Sequence, residues 1–116
     1  MNKVYCIGEI LIDMVSTDRI GLKNALSFEK KAGGAPANVC CAVSKMEKET
    51  EFIGQIGKDF FGDYLSDILE KYNIKTNLCY KEGNTTLAFV ALDKNGERDF
   101  SFIRGCDKDF DYKKID

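Results

Sequence analysis

The stretch Lys31-Ala-Gly-Gly-Ala-Pro-Ala-Asn38 constrains this chain more than any other. Gly33 and Gly34 run directly into Pro36, the only proline, and a helical pattern follows at once. Proline is tolerated in a first helical turn, where its missing N–H costs nothing. Glycines just before a helix let another group approach the backbone close to the unpaired N–H groups of that turn. Asn38 adds a donor and an acceptor. A ligand rich in hydroxyls would suit these groups. A plain strand-to-helix turn fits the same local residues equally well.

The rest of the chain reads as alternating α/β. Val4–Gly8 is an apolar run ending in glycine, and it predicts a buried strand. Glu9–Asp13 is a second apolar run, ending in a carboxylate that either accepts ligand hydroxyls or caps a turn. Residues 14–26 read as loop, and Ser27–Ala32 as a short strand into the diglycine. A helix is predicted over Ala35–Met46, with Val39, Ala42, Val43 and Met46 as its apolar stripe. Glu51–Ile56 predicts a strand, and Gly54–Gly62 a glycine-dense strand-to-helix turn with Asp59 as N-cap. The next helix runs to about Tyr72 on a broad apolar face, and Asn73 stops it. Residues 76–81 and Thr85–Leu92 predict strands. Asn95-Gly96 signals a hairpin, and Glu97–Arg104 returns as its partner. A period of two puts Phe100, Phe102 and Arg104 on one face. That face is either apolar packing with a rim charge or a cover over a polar ligand. The order of elements predicts a parallel sheet with the hairpin added to it.

Several function classes fall away. The net charge of −2 lacks the basic face of a nucleic-acid binder. With no histidine, His metal ligands and His general bases are excluded. Five cysteines without a C-x-x-C pair read as buried free thiols in a reducing compartment. No apolar run reaches membrane-spanning length and no signal-peptide core is visible, so a cytoplasmic protein is expected. Phosphate-loop, dinucleotide and nucleophile-elbow motifs are absent. Gly54-Gln-Ile-Gly57 has the form of an RNA-binding loop but lacks basic neighbours.

Taken in order, four stretches resemble the ribokinase-like (PfkB) carbohydrate kinases, and bacterial fructokinases most. They are Gly8–Asp13, Ala32–Val39, Gly54–Gly62, and Thr85–Leu92 with Asp93–Arg98 and Phe100–Arg104. The resemblance implies a Rossmann-like ribokinase fold: part of a parallel sheet with flanking helices, plus a small β-sheet lid. The lid strands would fall near 9–14, 27–32 and 85–104. It implies transfer of the γ-phosphoryl of ATP to a sugar hydroxyl with Mg2+, fructose to fructose 6-phosphate in the closest branch. Kinases of 2-keto-3-deoxygluconate, ribose or a nucleoside share the pattern. Asp13, Gly33, Gly34 and Asn38 would hold the sugar, with Phe102 and Arg104 reaching it from the lid. A lid-mediated homodimer is also implied. The family's Gly-Ala-Gly-Asp stretch, with its catalytic aspartate and ATP site, has no counterpart here. The expectation is therefore that residues 1–116 form the N-terminal sugar-binding part of a kinase domain and supply no catalytic residue. A non-catalytic sugar-binding module is the rival from another class.

Overall fold

The computed structural model describes residues 3–46 and 48–105, side chains of 35–37 excepted. Among the described residues, strands and helices follow one another as β1 (Lys3–Ile7), β2 (Leu11–Ser16), β3 (Phe28–Gly33), α1 (Ala35–Ser44), β4 (Glu49–Gly57), α2 (Phe60–Lys71), β5 (Lys75–Lys81), β6 (Leu87–Leu92) and β7 (Arg98–Ile103). They make two sheets. One is parallel, with order β1-β4-β5. The other is mixed, with order β3-β2-β6-β7, and only its β2–β6 pair is parallel. A parallel sheet with flanking helices and a second sheet are both present, as expected, but the second sheet has four strands to the first one's three.

Both helices cover one face of the parallel sheet. Cys40 of α1 and Leu65 and Leu69 of α2 share a buried cluster with Cys6, Phe52 and Ile56. The other side of β1 leaves Tyr5 and Ile7 exposed. Ile10 and Ile12 join the same cluster from the connection into the second sheet, so one core serves both layers. Fully burying side chains of this size stabilises by about 1.5–3 kcal/mol each.

Four sequence readings change. The apolar stripe of α1 is misplaced: Val39 and Met46 are exposed, and the core contact is Cys40. Cys40 packs as a small hydrophobe against Cys6, a role that a stripe of aliphatic residues does not reveal. α1 also ends at Ser44, leaving Met46 in the turn beyond it. Asp13 is not at a strand end, because β2 continues to Ser16. Finally, the hairpin β6–β7 does not extend the parallel sheet; β6 pairs with β2. The Asn95-Gly96 turn exists but is built differently from a two-residue hairpin turn. Gly96 alone takes positive φ, at 80°, and the Asp93 carboxylate accepts from the N–H groups of Asn95 and Glu97. Residues 106–116, including Cys106 and Asp107, lie outside the described residues.

The α2 boundaries follow their sequence signals. Asp59 caps the start, its Oδ1 accepting from Gly62 N at 2.8 Å. Asn73 adopts φ 58°, and the N–H groups of Asn73 and Ile74 return to the carbonyls of Glu70 and Leu69. This left-handed cap closes the last turn and buries Ile74.

Asp59 also ties α2 to the segment before β6. Its Oδ2 accepts from Thr85 N at 2.8 Å and its Oδ1 from the Thr85 hydroxyl at 2.7 Å. Close packing at this junction explains the glycines of the third motif. A Cβ on Gly62 would lie 2.2 Å from Gly57 O, and one on Gly57 would lie 2.6 Å from Thr85 N. Burial pushes the Asp59 carboxyl up, but the hydrogen bonds from Thr85, Gly62 and Phe61 outweigh it and hold the pKa below its ordinary value. Replacing Asp59 by Ala should cost about 2–4 kcal/mol, from the lost cap and the buried Thr85 donors left unpaired. The urea midpoint at pH 7 measures this. A depressed pKa means that the charge contribution is complete above the ordinary value of 3.8 and is lost as pH falls through the folded value. The gap between wild type and Asp59→Asn should therefore narrow only below that pH.

Candidate functional site

The diglycine is built by two close approaches. Gly34 takes φ 100°, and a Cβ there would lie 2.7 Å from the Glu9 carbonyl oxygen. At Gly33 a Cβ would lie 2.3 Å from Asp13 Oδ2, so the carboxylate rests on the bare Cα. The turn therefore packs against the β1–β2 connection on one side and receives the Asp13 side chain on the other. α1 follows immediately, with Pro36 in its first turn and Asn38 N donating to Gly34 O at 3.0 Å.

Strand register gathers the other candidates. Lys31 pairs with Asp13, Asp13 with Ala88, and Ala88 with Phe102. Residues directly opposite in a sheet share a face. Asp13 and Phe102 thus stand on the same face, two strands and about 10 Å apart. Ala88 lies between them, nearly buried, and its small side chain makes the floor of a trough. Gly33 pairs with Leu11 in the adjacent row, two residues along from Lys31 and Asp13 and so on that face too. The Arg104 guanidinium lies over the Phe102 ring, 4.5 Å from its centroid. Just beyond, Gly105 N donates to the Thr86 hydroxyl at 2.7 Å, fixing the chain after Arg104. The opposite face of this sheet packs inward through Ile12, Met14, Ala32 and Leu87.

The structure thus brings Asp13, Gly33, Phe102 and Arg104 onto one face, with Gly34 at its edge. Asn38 is placed differently. It lines a cavity of about 620 Å³ between α1, α2 and β3, together with Lys30 and Tyr64. None of Asp13, Gly33, Gly34, Phe102 or Arg104 lines that cavity. Sequence reading missed Glu9, Thr86 and Ala88. Thr86 and Ala88 lie inside the fourth motif and become visible once β6 is paired with β2 and β7. Nothing in the sequence joins Glu9 to Arg104.

Burial pushes the Asp13 carboxyl above its ordinary pKa, and the positive charge of Lys31 offsets this only in part. A group on such a face can accept from ligand hydroxyls once ionised, and Arg104 can donate to them. Among the described residues no group of three or more His, Cys, Asp or Glu could hold a metal ion. No helix there is long and apolar enough to cross a membrane.

Comparison with known proteins bears on this arrangement. A family model described as pfkB family carbohydrate kinase matches residues 1–115. This chain belongs to that family. Fructokinase-2 of Oryza sativa subsp. japonica is 43% identical over 111 residues, covering 93% of this chain and 33% of the relative. Fructokinase-2 of Zea mays is 45% identical over 112 residues, with the same coverage of 93% and 33%. Among solved structures, the fructokinase of Xylella fastidiosa superposes with a TM-score of 0.87 at 38% identity, covering 98% of this chain and 36% of that one. A sugar kinase of Pyrococcus horikoshii gives 0.90 at 34% identity, covering 97% and 40%. The chain thus spans about a third of the length of the curated relatives it matches.

A raised carboxylate pKa has a sign. Stability from Asp13 is complete below its ordinary value of 3.8 and is lost as pH rises through the higher folded value. Asp13→Asn should therefore raise the midpoint of thermal unfolding at pH 7 by a few degrees. At pH 3 the two melts should coincide. A lower midpoint for Asp13→Asn at pH 7 would contradict this.

Proposed function

We propose that this chain is the acceptor-binding part of a fructokinase-like sugar kinase. The observation carrying this reading is the single sheet face shared by Asp13, Gly33, Phe102 and Arg104. Fructose as acceptor draws its support from the relatives, several of which are named as fructokinases. In the complete protein the γ-phosphoryl of ATP would pass to a sugar hydroxyl. ATP as donor is supported by the Xylella fastidiosa fructokinase, which has been solved with bound ATP.

The described residues have a limited part in that reaction. Asp13 accepts from sugar hydroxyls, Arg104 donates to them, and Phe102 covers an apolar face of the ring. Gly33 and Gly34 let the sugar approach the backbone, and Asn38 would join them from α1 only by turning out of the separate cavity that it lines. Phosphoryl transfer depends mostly on positioning and charge stabilisation, so orienting the acceptor is a substantial share of the task.

The second sheet acts as a lid in this reading and also as the face of a homodimer. Phe100, Phe102 and Ile103 support it, being about half exposed on β7. Cytoplasmic location is supported by free thiols at Cys6, Cys40, Cys41 and Cys79.

The test is a coupled ATP-consumption assay on the protein expressed from its complete reading frame, with fructose, ribose and 2-keto-3-deoxygluconate offered separately. Fructose should be turned over best; turnover of none of the three would contradict a sugar kinase. Asn38 is exposed, so Asn38→Ala should raise the KM for sugar about threefold, the loss of one ordinary hydrogen bond, and leave the KM for ATP within about twofold. Equal rises in both would remove Asn38 from the acceptor set.

A further inference from the structure

One contact stands out by its position. Glu9 Oε2 lies 3.7 Å from Arg104 Nη1, although the residues are far apart in sequence. Both side chains are about half exposed, at 43% and 46%.

Both backbones are fixed where this pair forms. On the Glu9 side, Gly8 N donates to Ile53 O at 3.1 Å, and Ile10 is buried to 1% exposure. The Glu9 carbonyl is itself the group that Gly34 packs against. On the other side, Ile103 is paired with Leu87, and Gly105 is tied to the Thr86 hydroxyl. A Cβ on Gly105 would lie 2.0 Å from Asn84 O, so the chain there is held tightly as well. Two anchored segments thus present two long side chains to each other at the edge of the trough.

We propose that Glu9 is a positioning residue for Arg104, setting the guanidinium over Phe102 for contact with the sugar. This rests on the reading of that face as the acceptor site. An exposed arginine samples many rotamers, and freezing it on ligand binding costs affinity; holding it beforehand lowers that cost. The Phe102 ring holds the guanidinium from below. The Glu9 carboxylate attracts it from the side at 3.7 Å, biasing its rotation. A guanidinium has five donors in a rigid fork, so pairing through Nη1 does not exhaust it. Glu9 therefore acts on the sugar only through Arg104, while its backbone shapes the diglycine turn. One residue serves both walls of the trough.

The test is a double-mutant cycle on the protein from its complete reading frame, reading KM for fructose and kcat. Glu9→Gln should raise the KM about threefold, the size an exposed ion pair supports, with kcat nearly unchanged. The KM should also rise toward the Glu9→Gln value in 1 M salt, since a half-exposed pair is screened. Glu9→Asp, which keeps the charge, should stay closer to wild type. Arg104→Gln should raise the KM more, and adding Glu9→Gln to it should change nothing further. Additive effects of the two substitutions overturn the positioning role while leaving the site reading standing. An Arg104→Gln enzyme with unchanged KM for fructose overturns the site reading and the positioning role together.

Discussion

Everything near the site depends on two places where backbone is left bare. The Asp13 carboxylate lies on the Cα of Gly33, and the carbonyl of Glu9 lies against the Cα of Gly34. Any side chain at either position would collide, and at Gly34 the φ of 100° adds backbone strain for any other residue. These contacts fix where β3 ends and α1 begins. They also lock the β1–β2 connection against the start of α1. The parallel sheet and the second sheet thereby meet at one point, and the buried Ile10 and Ile12 fill the space between them.

From that junction the second sheet extends outward with two unlike faces. Its inner face joins the common core through Ile12, Met14, Ala32 and Leu87. Its outer face carries a carboxylate, a small residue, an aromatic ring and an arginine in adjacent rows. This is a poor surface for packing and a good one for a polar ring with hydroxyls. Burial raises the pKa of the Asp13 carboxyl, so its ionised form is disfavoured on this face. A second close-packed junction, at Gly57, Gly62, Asp59 and Thr85, holds the start of α2 to the base of β6. It keeps the row through Thr86 and Ala88 in place beneath the site.

Much of this was legible in the sequence because local rules set it. Asp59 was readable as an N-cap, Asn73 as a stop and Gly33-Gly34 as a close approach, since each acts within a few residues. The two-layer division was readable from the family resemblance and not from periodicity, which placed the hairpin on the parallel sheet. Long-range pairing decides that point, and β2 meets β6 across more than 70 positions. The α1 stripe failed for a related reason. Cys40 faces the core and packs in one cluster with Cys6 of β1, and a thiol does not stand out as apolar in a helical pattern. Glu9 and Arg104 meet only after seven strands are assembled. The cavity beside Asn38 likewise depends on how α1, α2 and β3 come together.

The central claim is that the acceptor sugar lies on the outer face of the second sheet. A crystal structure of the protein from its complete reading frame, grown with fructose, tests it most directly. The account predicts a fructose molecule between Phe102 and Asp13, with a hydroxyl within hydrogen-bond distance of the Asp13 carboxylate and another near Arg104. Fructose bound instead in the cavity beside Lys30 and Tyr64, with Asp13 untouched, would contradict it.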